Sequence, residues 1–245
     1  MKALLILNYL TESEDSVSIT DISEMTGLSA STVHRVLQEM IACGLASKCE
    51  ESKQYKLGYE ALAMGMRIKA SNYLLDISMG EMMRLNEISR ETIHLIAMDE
   101  HMGIYIGKLD TKNPIGMKSR IGRRLPLYCT GGGKALMAYQ SEEWIEEYLN
   151  SAELKKFTQN TKVDKQELLQ ELKLIREKGY AIDNKEHNPD IICISAPILD
   201  HTGKAVSAMS ISAPEYRFPL EQALMFSKDI IDSTALVTKK ISDRK

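Results

Sequence analysis

No run of this sequence approaches the roughly 20 consecutive apolar residues of a membrane span, so a transmembrane helix is not expected. Cysteine is sparse and scattered. Cys43, Cys49, Cys129 and Cys193 lack CxxC spacing, which argues against a zinc module and a disulfide framework and leaves reduced thiols as the expectation. The opening Met1-Lys-Ala-Leu-Leu-Ile-Leu-Asn-Tyr-Leu10 is a short apolar run that passes into acidic residues with no small-residue cleavage site. It does not suit a signal peptide, and a cytoplasmic location is expected. Internal repeats and low-complexity tracts are lacking too.

Basic charge is also short where it would matter for one class of function. Residues 1–58 hold five Lys and Arg (Lys2, Arg35, Lys48, Lys53, Lys56) against eight Asp and Glu, while the rest of the chain is balanced. A nucleic-acid-binding domain normally carries a basic footprint. Any DNA contact made here would be weak in a monomer and would need the avidity of an oligomer. Arg35, Lys53 and Lys56 are placed to share one face, with most acids between the elements or at a turn.

What is present is ordinary globular material. A length of 245 residues suits two domains, and 44% hydrophobic with 27% charged residues is typical of a folded chain. The stretch Ser29–Cys43 has apolar residues at Val33, Val36, Leu37, Met40 and Ile41, the stripe of a helix packed on one side. Ser29 suits its N-cap and Gly44 its stop. The opposite face carries Ser31, His34, Arg35 and Gln38 in the first turns, as in a helix that enters the major groove. Before it come a helix over Ala3–Tyr9, a short helix over residues 19–26 with Thr20 as cap, and a Gly27-Leu28 turn. After it come two strand-like pieces, Leu45–Cys49 and Gln54–Leu57. That order is a winged helix-turn-helix. With Thr20, Ser29, Thr32, Lys53 and Tyr55, the outward helix residues make the candidate DNA-binding set.

The stretch VSITDISEMTGLSASTVHRVLQEMIACGLASKCEESKQYKLG resembles the DNA-binding domain of the IclR-type bacterial transcriptional regulators. The likeness rests on Ser31-Thr-Val-His-Arg35 and Tyr55-Lys-Leu-Gly58. The chain departs from the pattern at Ala30, where the family usually carries a lysine, and its first helix begins at the start methionine, where many members have an extension.

A linker helix is expected over residues 59–75, then a Met-rich amphipathic helix to Arg90, whose methionines read as core filling. A hairpin over residues 91–98 and 103–109 follows, then a strand over Ile115–Ile121. Beyond these come an acidic helix, Ser141–Leu149, and a helix opened by a capping box at Asp164-Lys-Gln-Glu167. Strands over residues 191–199 and 205–212 precede a final helix starting at Phe218-Pro219. The fold class expected is α+β, with domains at 1–58 (winged helix-turn-helix), 59–75 (linker helix) and 76–245 (antiparallel sheet with helices).

Thr130-Gly-Gly-Gly-Lys134 opens a helix with unobstructed amides at its positive end, an arrangement that binds anions. It is not a P-loop, since Tyr128 and Ala135 occupy positions that motif gives to Gly and Ser/Thr. A tight helix start packed on a strand is the structural alternative. The stretches Arg120–Ala135, Gly179–Asp183 through Cys193–Pro197, and Ala208–Pro214 are similar to the IclR-type effector domain, so the resemblance covers essentially the whole chain. It implies a GAF-like small-molecule-binding domain, with Gly131, Gly132, Gly133, Asp183, Cys193, Ser210 and Ser212 as the effector residues. Glu91-Thr-Ile-His-Leu and Ser119–Tyr128 look like the branch that senses 2-keto-3-deoxygluconate. Gly131-Gly132 departs from the Thr-Ala or Ser-Ala of many members.

The resemblance implies a homodimer or tetramer that is a DNA-binding repressor under a small carboxylate effector, with a double-stranded operator as partner. No enzyme activity, cofactor or membrane partner is expected. Three alternatives stay open. Asp183, His187 and Cys193 suit a Cys-His-Asp hydrolase or a zinc site, and the acidic N-terminal domain suits a sensor that acts through protein contacts.

Overall fold

The computed structural model describes residues 1–13 and 15–243 and forms two compact units, Met1–Asn72 and Tyr73–Lys245. Among the described residues no helix is long and apolar enough to cross a membrane.

The first unit begins with α1 (Lys2–Glu12), α2 (Ile19–Thr26) and α3 (Ala30–Ala42). Ile6, Leu10, Ile22, Val33, Val36, Leu37 and Met40 pack together as their spacing requires. The cap of α2 is Ser18, not Thr20. Ser18 Oγ accepts from the Asp21 N–H while the Asp21 carboxylate accepts from the Ser18 N–H. Such a reciprocal pair satisfies two of the helix's orphan donors, which Thr20 cannot do from inside the first turn. Gly27 and Gly44 have positive φ of 69° and 76°, so α2 and α3 both stop on left-handed glycines. The wing pairs β1 (Ala46–Lys48) with β2 (Tyr55–Leu57), and Val17 bridges to Tyr55 from the other side. α4 (Tyr59–Ala70) ends the unit. The helix expected to reach residue 75 stops at Ala70, and Tyr73 starts the next one.

The second unit is built on a six-stranded antiparallel sheet. The chain enters by α5 (Tyr73–Ser89) and forms the hairpin β3 (Thr92–Asp99) and β4 (Met102–Leu109). β5 (Arg124–Pro126) leads to α6 (Gly131–Ala138), α7 (Glu142–Ser151) and α8 (Lys165–Lys178). β6 (Ala181–Asn184), β7 (Ile191–Leu199) and β8 (Ala205–Pro214) complete the sheet, whose order is β5-β4-β3-β8-β7-β6. The expected final helix is two, α9 (Leu220–Met225) and α10 (Ser227–Ser242), divided at Phe226. The N-cap of α8 is Asp164 as expected.

Period-two alternation divides the sheet. Ile93, Leu95, Ile192, Ile194, Met209 and Ile211 pack against α5, α9 and α10. On the opposite face Ile96 and Ala208 join the core under α6, α7 and α8. The residues alternating with the first set are largely polar, and they form the floor of the site described below.

The expected strand over Ile115–Ile121 does not form. The carbonyls of Met117 and Ser119 accept from the Lys108 ammonium at 3.2 and 2.7 Å, which takes them out of any ladder. Arg217 donates to the Ile115 carbonyl at 2.8 Å, anchoring the same segment at its other end.

Candidate functional sites

In the first unit α3 presents Ser31, His34, Arg35 and Gln38 to solvent, opposite its buried stripe. Ser29 caps the helix, and its hydroxyl also donates to Thr32 Oγ1 at 3.0 Å, so Ser29 and Thr32 are partly committed to holding the first turn. Arg35 pairs with Glu39 at 3.3 Å, both well exposed. Such a pair is worth little and gives way readily to a phosphate or a base. Lys53 stands at the wing tip with φ of 55°. Tyr55 is a correction to the DNA-binding set. It is only 2% exposed and packs in the core, while its backbone pairs with Val17 in both directions at 2.8 Å. Its role is to fasten the wing. Thr20 is exposed on α2 without the capping role expected of it.

In the second unit a cavity of about 320 Å³ opens between the polar face of the sheet, the start of α6 and the irregular segment after β4. Gly131, Gly132, Asp183, Cys193, Ser210 and Ser212 all line it. The register explains why residues far apart in sequence meet. Asp183 pairs with Cys193, Cys193 with Ser212 and Ser212 with Thr92, one row across four strands. The next row on the same face runs from Ala181 through Ser195, Ser210 and His94 to Lys108.

Gly133 does not belong to the lining. Its N–H is taken by Thr130 Oγ1 at 3.2 Å, and Thr130 Oγ1 itself donates to the Pro126 carbonyl at 2.7 Å. Gly131 and Gly132 do line the cavity, at the positive end of α6. A side chain at either position would have to displace the end of another side chain. A Cβ on Gly131 would stand 2.8 Å from Ser195 Oγ, and one on Gly132 would stand 2.3 Å from Ile96 Cδ1.

Asp183 is 3% exposed, and its Oδ1 accepts the Glu186 N–H at 2.7 Å. Burial pushes its carboxyl up to about 7, with the nearby Lys134 charge pulling the other way. Burial likewise pushes the Cys193 thiol far above its ordinary value, so no thiolate is available as a nucleophile near neutral pH. His94 is fully buried, and burial drives its imidazole down to about 3, leaving it neutral. Its Nε2 lies 2.7 Å from Ser119 Oγ and its Nδ1 3.5 Å from Ser210 Oγ. His187 lines the cavity with its ring 4.9 Å from Phe157. Although Asp183, His187 and Cys193 share this cavity, among the described residues no group of three or more His, Cys, Asp or Glu is placed to hold a metal ion. The hydrolase alternative loses its nucleophile.

Sequence reasoning missed Tyr105, His94 and the segment residues Met117 and Ser119. Tyr105 lines the cavity from β4, and its ring lies 4.4 Å from that of His94. The strand parity of His94 with Thr92 was legible. The return of residues 117–119 over the sheet was not, because it depends on Lys108.

Family models match both units. The IclR helix-turn-helix domain matches residues 1–48, and the bacterial transcriptional regulator IclR C-terminal domain matches residues 66–237. The HTH-type transcriptional regulator KdgR of Dickeya chrysanthemi is 38% identical over 218 residues, covering 89% of this chain and 71% of that protein. The transcriptional repressor IclR of Escherichia coli strain K12 is 30% identical over 239 residues, 97% of this chain and 87% of that protein. The crystal structure of the Thermotoga maritima IclR superposes with a TM-score of 0.78 at 31% identity, covering 98% of this chain and 97% of the other. These relatives are regulators, not enzymes.

Proposed function

The chain belongs to the IclR family of bacterial transcriptional regulators, in its KdgR-like branch, and is a DNA-binding regulator; from that premise we propose that it is a cytoplasmic repressor released by a sugar acid. The effector of this reading is 2-keto-3-deoxygluconate or a close analogue, bound in the cavity of the second unit. One observation carries it. Gly131 and Gly132 at a helix N-terminus and the hydroxyl, thiol and carboxyl groups of Ser210, Ser212, Cys193 and Asp183 line one cavity of about 320 Å³. A carboxylate suits the amides of Gly131 and Gly132. A hydroxylated chain suits Asp183, Ser210 and Ser212, which lie in two adjacent rows on a single sheet face.

The operator-reading residues of this proposal are Ser31, His34, Arg35 and Gln38 on α3, with Lys53 on the wing. The acidic balance of the first unit makes a single copy a weak binder, so the repressor acts as a homodimer or a tetramer. α4 supports assembly: all twelve of its residues are at least partly exposed, including Tyr59, Leu62, Met66 and Ile68. That is apolar surface a lone helix does not leave in water without a partner. The effector acts by its differential affinity for the DNA-competent and DNA-incompetent states.

The test is a thermal-shift screen of sugar acids and small keto acids, followed by operator release. Saturable stabilisation by 2-keto-3-deoxygluconate, with loss of the operator complex at the same concentrations, is the expected result. Stabilisation by uncharged or cationic compounds alone would overturn the carboxylate reading.

A further inference from the structure

One wall of the cavity is held from behind by a group that does not line it. Lys134 sits one turn into α6 and is fully buried. Its Nζ lies 2.7 Å from Glu171 Oε1 on α8 and 2.5 Å from Glu186 Oε1 in the turn after β6. Burial alone would favour the neutral amine, but Glu186 and Glu171 more than offset it and keep the ammonium charged. Glu186 lies between two lining residues, Asp183 and His187. Its N–H is the donor to Asp183 Oδ1, and its carbonyl accepts from Thr161 Oγ1 at 2.5 Å. Lys185, before it, is left-handed at φ 61° and its carbonyl accepts from Thr158 Oγ1 at 2.6 Å. A strained turn persists only where its surroundings fix it. Here two threonines hold the backbone and one ammonium holds the side chain.

We propose that Lys134 is a positioning residue of the effector site. Clamped between Glu171 and Glu186, it holds in place the turn whose Glu186 N–H fixes Asp183 Oδ1 at the cavity wall. The inference rests on the effector reading above, because it concerns how Asp183 is presented to the ligand. Groups from several elements face Asp183. Cys193 lies opposite on β7, Tyr105 on β4, and Cys129 precedes α6. Lys134 comes from α6 itself, while Glu186 and His187 come from the turn. Lys134 is the cation that faces Asp183 most strongly, and burial and Glu186 oppose it. Its removal should therefore raise the pH at which Asp183 loses its proton.

Two readouts on the full chain separate this role from simple structural support. The first needs no ligand. The 13C resonance of the Asp183 carboxyl, assigned by its loss in Asp183→Asn, is titrated in the wild type and in two variants. Lys134→Met leaves two carboxylates in the clamp with one cation gone. The double variant Lys134→Met/Glu186→Gln removes one charge of each sign, and Glu171 keeps Lys162 at 3.1 Å, so its fold is the safer one. The expected result is an upward shift of the Asp183 midpoint, larger in Lys134→Met than in the double variant, where loss of the Glu186 charge offsets part of it. An unshifted midpoint overturns the proposal.

The second readout is the affinity for 2-keto-3-deoxygluconate by calorimetry between pH 6 and 9. In the wild type it should rise as Asp183 ionises, and in the double variant the rise should move to higher pH. Near pH 7.5 the variant should bind more weakly, with most of that loss recovered at pH 9. A loss by one constant factor at every pH would mean structural support only and would overturn the proposal. A wild type that does not bind the sugar acid, with the Asp183 midpoint still moving in the variants, would retain the positioning role and overturn the effector assignment instead.

Discussion

A Cβ on Gly133 would stand 2.5 Å from both the Cα and the carbonyl oxygen of Leu127, so the third glycine of α6 is there to let the helix lie against the backbone that leads into it. Neither atom of Leu127 can swing aside as a side-chain tip can. Gly133→Ala should therefore destabilise the second unit by about 1–3 kcal/mol, the usual cost of overpacking. Gly132 differs, because its Cβ would meet the movable end of Ile96 at the cavity wall. Gly132→Val should leave operator binding in place and weaken the sugar acid tenfold or more, giving constitutive repression. Denaturant midpoints and calorimetry on both variants check the contrast. Equal effects of the two substitutions on stability and on ligand would show that the three glycines do not divide these tasks.

Arg35 and Lys53 should separate specific from general DNA contact. The Arg35–Glu39 pair is well exposed on both sides, so Arg35→Ala leaves the fold intact. Its expected cost is about 1–3 kcal/mol of discrimination between operator and unrelated duplex. Lys53→Ala at the wing tip should weaken all DNA alike and reduce the salt dependence by about one unit of slope. Gel-shift titrations at several salt concentrations measure both. An Arg35→Ala protein with undiminished operator preference would remove that residue from the reading face.

Much of this is legible in the sequence, and the failures have identifiable causes. The α3 stripe, its Ser29 cap and the Gly44 stop are local features, and local features report themselves. The pairing of Ser210 with Ser212 on one face follows from strand parity. Ser18 and Thr20 both offer a hydroxyl near the start of α2, and only Asp21 reaching back decides for Ser18. An aromatic on a wing, as at Tyr55, suits either DNA or core; burial decides for core. The strand expected over residues 115–121 is undone by Lys108, whose reach to Met117 and Ser119 leaves no periodic trace. Lys134 is the hardest to foresee. A lysine after three glycines suggests a phosphate ligand, and only the fold shows it turned away into two carboxylates.

Asp183 ties the site to stability in a direction opposite to most carboxylates. Its folded-state value is raised by burial from 3.8 to about 7, so between those limits the native protein binds a proton that the unfolded chain has released. Stability from this group is full below pH 4 and declines as pH rises towards 7 and beyond. Asp183→Asn carries no such titration. The variant should match the wild type near pH 4 and become more stable by roughly 2–4 kcal/mol at pH 8, since each tenfold change in proton affinity is worth about 1.4 kcal/mol. The same substitution should cost about 1.5–3 kcal/mol of effector affinity, since a charged acceptor for ligand hydroxyls is lost. A site kept at the expense of the fold predicts that opposition. Urea midpoints of both proteins across pH 4 to 8, with calorimetry at pH 8, test it together. Stability curves that run parallel over that range would show that Asp183 is ionised throughout and that its burial is compensated in the native state.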